Sequence, residues 1–183
     1  MVTLYVDKFR GFKDTIVALA DVNFLVGENS TGKSSLLALL HLLSSPDFWF
    51  LQNFNLPEYE FGGFADILSA ESKRTDEFSF GLSSSVKHFR TKEKGEYTYL
   101  VSYQEKDALP SVTQFARLDR NRLLSFRQFK QSYRYRTEVL SIEEMPNNVE
   151  NRFALLKTEG SRPIAHFSEL PKSMPARAGF FPL

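Results

Sequence analysis

The run Gly27-Glu28-Asn29-Ser30-Thr31-Gly32-Lys33-Ser34 fits the pattern G-x-x-x-x-G-K-[ST] in full. Residues of these types at this spacing make a loop whose backbone N–H groups converge on nucleotide phosphates. The amides of Asn29 to Ser34 are the expected donors, with Glu28 inside the same loop, and the positive end of the following helix assists them. Lys33 would reach the β- and γ-phosphates, and the Ser34 hydroxyl would ligate Mg²⁺. Gly27 and Gly32 suit a backbone that approaches phosphate too closely for a Cβ. Ser35 carries two readings of equal weight, an α-phosphate contact or ordinary helix solvation. The ligand this chemistry calls for is ATP with Mg²⁺.

Hydrolysis needs more, namely an acidic pair at the end of another buried strand to hold the metal and activate water. The nearest approach is Val139-Leu140-Ser141-Ile142-Glu143-Glu144, where Ser141 interrupts the apolar run and Pro146 follows. It reads as a solvated acidic turn.

A phosphate loop has to be positioned by a strand before it and a helix after it. Val22-Asn23-Phe24-Leu25-Val26 is expected to form a short buried strand. Ser34 to Ser45, rich in leucine, is expected to form an apolar helix that Pro46 stops. Val2 to Phe9 alternates apolar and polar residues, and Thr15 to Leu19 reads as a second strand, so the chain opens with a hairpin. The aromatic run Phe48 to Phe54 reads as core or a subunit contact, and Gly62-Gly63 breaks the chain before Phe64 to Leu68. Strands are expected over Phe78–Ser84, Tyr97–Gln104, Thr113–Asp119 and Ser132–Leu140, with turns at Lys92–Glu96 and Asp107–Pro110. Such strands make an antiparallel meander. Arg152–Thr158 reads as one more strand, and the prolines beyond Ser161 argue for an extended, irregular tail.

The bulk properties agree with a folded chain. Hydrophobic residues make up 42% of 183, which supports one domain with a real core or a domain plus a small subdomain. Zero Cys removes disulfides and thiolate sites and suits a reducing cytosol, so a cytoplasmic location is expected. No apolar run is long enough to span a bilayer, so no membrane partner is expected. The net charge of +1 conceals an asymmetry: residues 86–136 carry twelve Lys/Arg against five Asp/Glu, whereas residues 1–75 carry six against nine.

Within that basic stretch, Arg117, Arg120, Arg122, Arg127, Lys130, Arg134 and Arg136 interleave with Phe115, Phe126, Phe129, Tyr133 and Tyr135. Cations can neutralise phosphates while aromatics stack on unpaired bases, the composition of a nucleic-acid surface. An acidic protein partner fits equally. The competing reading is a solvated face with its aromatics packed inward, and the alternation Tyr133-Arg134-Tyr135-Arg136 favours it, because a strand sends the two types opposite ways. His41 lies within the apolar helix, and His88 and His166 are isolated from acidic or histidine neighbours at ligand spacing, so each reads as structural.

Gly-Glu-Asn-Ser-Thr-Gly-Lys-Ser-Ser, preceded by Phe9-Arg10-Gly11-Phe12, resembles the start of the ABC-type P-loop ATPases that handle DNA, namely the SMC, RecF and OLD-like AAA ATPase heads. The Gly-Glu-Asn-Ser form looks most like the OLD-like proteins of bacterial anti-phage and retron-associated systems. Phe61-Gly62-Gly63-Phe64-Ala65-Asp66-Ile67-Leu68 is similar to a stretch those proteins carry after the first helix. The resemblance implies an α/β fold, an ABC-ATPase-like N-terminal lobe with an antiparallel β-subdomain. It divides the chain into 1–75, the phosphate-loop core; 76–160, the β-subdomain with the basic block; and 161–183, a tail leading to a C-terminal lobe. It also implies that Asn29 helps hold the γ-phosphate and that Arg10 lies near the nucleotide or bound DNA. Two heads of such proteins sandwich ATP, so the implied partners are a second copy or larger oligomer, DNA, and an effector such as a nuclease. Neither Leu68-Ser69-Ala70-Glu71 nor Leu82-Ser83-Ser84-Ser85 has the glycines of an LSGGQ-like signature. The Q-loop glutamine has four candidates, Gln104, Gln114, Gln128 and Gln131. Two functions follow: an ATP-driven head, or a nucleotide-binding scaffold that does not hydrolyse.

Overall fold

The structure, a computed structural model, describes residues 2–29, 31–45, 48, 53–73, 76–87, 94–129, 132–161 and 168–171. Strand β1 (Val2–Asp7) pairs antiparallel with β2 (Thr15–Leu19) on one side and with β5 (Phe78–Lys87) on the other. From β5 the sheet continues as a meander through β6 (Lys94–Lys106), β7 (Leu109–Asp119), β8 (Arg122–Phe129) and β9 (Ser132–Val139) to β10 (Ser168–Pro171). The spatial order is β10-β9-β8-β7-β6-β5-β1-β2, and every ladder among the described residues is antiparallel. A separate two-stranded hairpin pairs β3 (Asn55–Leu56) with β4 (Tyr59–Glu60). The sheet therefore runs without a break from residues before position 75 to residues after it.

Tight turns follow from residues that take positive φ. Asp107 and Ala108, at φ 53° and 63°, close β6 onto β7, and Arg120 at φ 53° opens the turn into β8. The Lys92–Glu96 turn falls partly on positions outside the described residues, as do Pro46, Trp49, Phe50, His88, Gln131, Pro163, His166, Pro175 and Pro182.

The two sheet faces differ in side-chain size, and that difference assigns the helices. One face presents Leu4, Val6, Phe78, Phe80, Tyr103 and Phe126, and helix α1 (Lys33–Ser44) packs there through Leu36, Leu39 and Leu42. Phe48 and Phe54 of the aromatic run are buried in this core, Phe54 meeting Tyr103 edge-on at 5.1 Å. A one-turn helix, α2 (Phe64–Ile67), seals the same core with Phe64. The opposite face is lined by small residues, including Ser79, Gly81, Ser83, Thr98 and Ser102, whose hydroxyls pair across the ladder (Ser79–Ser102 and Ser83–Thr98, both 2.8 Å). Helix α3 (Val149–Ser161) lies on it. Gly81 is required at the crossing: a Cβ there would sit 2.2 Å from the Tyr99 carbonyl oxygen and 3.0 Å from the Phe153 ring.

Four sequence expectations change. Val22–Val26 forms no strand and is exposed, because no described strand lies beside it to complete a ladder. Arg152–Thr158 is helical, being part of α3, whose buried residues Arg152, Phe153, Leu156 and Glu159 recur at helical spacing and which the Asn148 side chain caps by accepting from the Asn151 amide at 2.7 Å. Arg122–Phe129, read only as part of the basic block, is a full strand. The tail past Ser161 contributes β10 to the sheet edge.

Candidate functional site

The phosphate loop links the exposed 23–28 segment to α1. Gly32 is the helix N-cap, in the left-handed region at φ 86° and ψ 3°, and its carbonyl accepts the first helical bond from the Leu36 amide at 2.9 Å. A side-chain cap is missing at this terminus, so the first-turn amides remain directed out of the helix, the arrangement that receives an anion. Lys33 is folded back onto its own loop. Its ammonium donates to the Gly27 carbonyl at 2.8 Å, to the Glu28 carbonyl and to Thr31 Oγ1 at 3.2 Å. Thr31 Oγ1 in turn donates to the Glu28 carbonyl at 2.9 Å. Three acceptors thus saturate the three lysine donors. Phosphate oxygens make stronger, charge-assisted partners than carbonyls, so Lys33 can exchange the latter for a bound anion. Ser34 and Ser35 occupy the first turn of α1, with Ser34 exposed to solvent. Asn29 is exposed in the loop, and Ser30 lies outside the described residues.

The turn between β1 and β2 meets the loop at Gly32. The ring of Phe12 lies against Gly32, its Cζ 3.2 Å from where a Gly32 Cβ would be. Arg10 occupies the same turn, but its guanidinium stacks on Phe61, 4.9 Å from the ring centre, while its amide donates to the Ile67 carbonyl at 2.7 Å. That contact ties Phe9–Phe12 to Phe61–Leu68, the two motif stretches that stand fifty residues apart in the chain.

The sheet divides the basic block between its faces. Arg117 and Arg122 share the α1 side, where Arg117 pairs with Asp119 at 3.3 Å and lies 5.3 Å from the Tyr97 ring centre. Arg127, Arg134 and Arg136 share the α3 side, with Arg127 directly opposite Arg134 in register. Arg136 there binds Glu159 of α3 and reaches Glu138 at 3.8 Å. Tyr135 turns the other way, 5.9 Å from Phe126. Arg120 sits in the β7–β8 turn, and Lys130 lies outside the described residues.

Of the glutamines, Gln104 and Gln128 line a polar cleft of about 410 Å³ with Glu77, Thr113 and Arg127, while Gln114 is buried. Glu143 and Glu144 form an exposed turn; the Ser141 amide donates to the Glu144 carboxylate at 2.8 Å and holds its pKa below the ordinary value. His41 Nε2 lies 3.5 Å from the Glu58 carboxylate, beside Tyr59. No cluster of acidic or histidine residues suited to a metal occurs among the described residues.

A group the sequence reading missed joins β1 to α3. Lys157 donates to Asp7 and to the Tyr5 hydroxyl, both at 3.0 Å, and Tyr5 donates to Asp14 at 2.7 Å. Burial pushes the Tyr5 phenol up to about 12. Burial pulls the Lys157 pKa down, but the hydrogen bonds to Tyr5 and Asp7 outweigh it and raise it above the ordinary lysine value. The signal was faint, because Lys157 lies 150 residues from Asp7.

Residues 1–157 match the model of the AAA ATPase domain family. The chain belongs to that family. No curated protein and no solved structure matches it. Membership of the AAA ATPase domain family carries nucleotide binding with it, ATP and usually Mg²⁺. Among the described residues, no helix of this AAA ATPase domain is long and apolar enough to cross a membrane.

Proposed function

We propose that this AAA ATPase domain is the nucleotide-gripping lobe of an ABC-type head that dimerises around ATP and couples that state to DNA or to an effector such as a nuclease, in phage defence or DNA maintenance. One observation carries the reading. The phosphate loop is preceded by an apolar segment left in water, with Val22, Phe24 and Val26 exposed at 71%, 86% and 88%. An apolar surface costs about 25 cal/mol per Å² left in water, so such a segment belongs under another surface in the working assembly. Beside it, β2 pairs on one edge with β1 and, among the described residues, offers its other edge, and an apolar groove of about 330 Å³ opens between Leu19, Leu40 and Leu43. Further strands, supplied by more of the polypeptide or by another chain, would lay a sheet over the segment and bring the acidic pair and signature to the phosphates. Within the loop, Asn29 to Ser34 hold phosphate, Lys33 bridges the β- and γ-groups, and Ser34 holds Mg²⁺.

Lys33→Ala tests the reading. The variant is expected to lose ATP binding in calorimetry and ATP-driven association in light scattering. Parent-like affinity in the variant would remove the loop from the mechanism.

A second reading has its own observation. The nearest acidic pair, Glu143–Glu144, lies on a solvated turn whose carboxylate is engaged by Ser141. On that ground the lobe is a nucleotide-binding scaffold without turnover. Phosphate release from the purified chain, alone and with its natural partners, separates the two: sustained release from the chain alone excludes the scaffold.

A further inference from the structure

We infer that Phe12 is a positioning residue for the phosphate loop, held in place by a strained turn whose own conformation is fixed from both faces of the sheet. The inference rests on the nucleotide reading of that loop.

The turn between β1 and β2 is costly. Lys8, Arg10 and Asp14 all have positive φ, at 54°, 48° and 43°, a conformation that side chains other than glycine rarely adopt. Such strain persists only where the surroundings over-determine the backbone, and here they do. On the α1 side, the Arg10 amide donates to the Ile67 carbonyl at 2.7 Å, the Ser69 amide donates to the Lys8 carbonyl at 2.9 Å, and the Arg10 guanidinium stacks on Phe61. On the α3 side, the Asp14 amide donates to Asp7 at 3.0 Å, while Tyr5 and Lys157 hold the carboxylates of Asp14 and Asp7. Across the turn, the Phe12 amide donates to the Phe9 carbonyl at 2.9 Å.

What this arrangement presents to the loop is one ring. Phe12 packs on the α1-side core and sets its tip, Cζ, against Gly32. Glycine samples both signs of φ with little steric preference, so Gly32 does not by itself maintain the left-handed geometry that aims the first α1 amides at a phosphate. The lysine bonds tie the loop at Gly27 and Thr31, and Phe12 packs against it at Gly32. Removing the ring releases Gly32 into conformations that do not bind, and the apparent affinity falls by the fraction lost.

Mg·ATP binding by calorimetry, with thermal midpoints, on the full chain tests this. Phe12→Ala is expected to weaken binding about tenfold, the population shift to be read from the dissociation constant. Phe12→Tyr keeps the ring on the core and adds one oxygen at the atom nearest Gly32. It is expected to leave the thermal midpoint near that of the parent and still weaken binding several-fold, a result that a purely structural role does not produce. Val17→Ala, a cut in the same core away from the loop, is expected to lower the midpoint and keep the parent's affinity. Should Phe12→Ala fail to fold, Phe12→Tyr decides alone. Parent-like affinity in a folded Phe12 variant overturns the inference, and if Lys33→Ala abolishes binding beside it, the nucleotide reading stands. A parent chain that binds no Mg·ATP overturns both.

Discussion

Strand β1 and the segment Val22–Val26 are near equals in sequence, two short runs dominated by valine, leucine and an aromatic residue, and they end up in opposite environments. β1 lies between β2 and β5, with Leu4 and Val6 fully buried under α1 and Tyr5 under α3. Val22–Val26 lies beyond the sheet, with three of its five side chains mostly in solvent. The difference teaches what makes an apolar run a strand. Local composition offers the backbone an extended conformation, but its N–H and C=O groups need neighbours on both edges before burial is affordable. β1 has them, and among the described residues the segment before the phosphate loop does not.

Three experiments bear on that contrast. The largest effect is expected from Leu4→Ala, which opens a cavity between β1 and α1 and should cost about 2–5 kcal/mol in denaturant unfolding. A cost near zero would place β1 in the same loosely packed class as the loop segment. A moderate effect concerns pH. The Tyr5 pKa is raised from 10.0 to about 12 by burial, so the group adds stability below its unfolded value and loses that contribution as pH rises toward the folded one. Lys157, also raised, acts with the same sign above the ordinary lysine value. The parent should therefore weaken between about pH 10 and about pH 12, and Tyr5→Phe, which keeps the stack on Phe153 at 5.1 Å, should weaken less. Unfolding midpoints across that range measure it; identical slopes would show that β1 is not clamped to α3 through this hydroxyl. The smallest effect is expected from Phe24→Ser, within about 0.5 kcal/mol on the isolated chain because the ring touches mostly water. The same variant should reduce association with whatever covers the segment, measured by light scattering in the presence of ATP. A large stability loss on the isolated chain would mean that Phe24 is packed, and the contrast with β1 would fail.

The hairpin, α1 and most of the meander were legible because their residues alternate or recur at the period of the element. β8 was not. Leu123 and Leu124 face opposite cores, as a strand buried on both sides requires, and the arginines at 122 and 127 drew the reading toward a charged surface. α3 was mistaken for a strand because half of its buried residues are charged. Arg152 and Glu159 are acceptable inside only because Glu96 on β6 and Arg136 on β9 meet them. Neither partner is near in sequence, so no local pattern marks the buried face. The Glu143–Glu144 turn, by contrast, was readable from Ser141 and Pro146 alone, and it is solvated as expected.

By itself the sequence determined the motif from Gly27 to Ser34 and the start of α1 just after Gly32, because residue type and spacing act locally. Tertiary structure alone decided which residue stands beneath that loop, which arginines share a face and whether Val22–Val26 is covered. Those outcomes depend on strand order and register, and a single step in register moves every side chain of a strand to the other face.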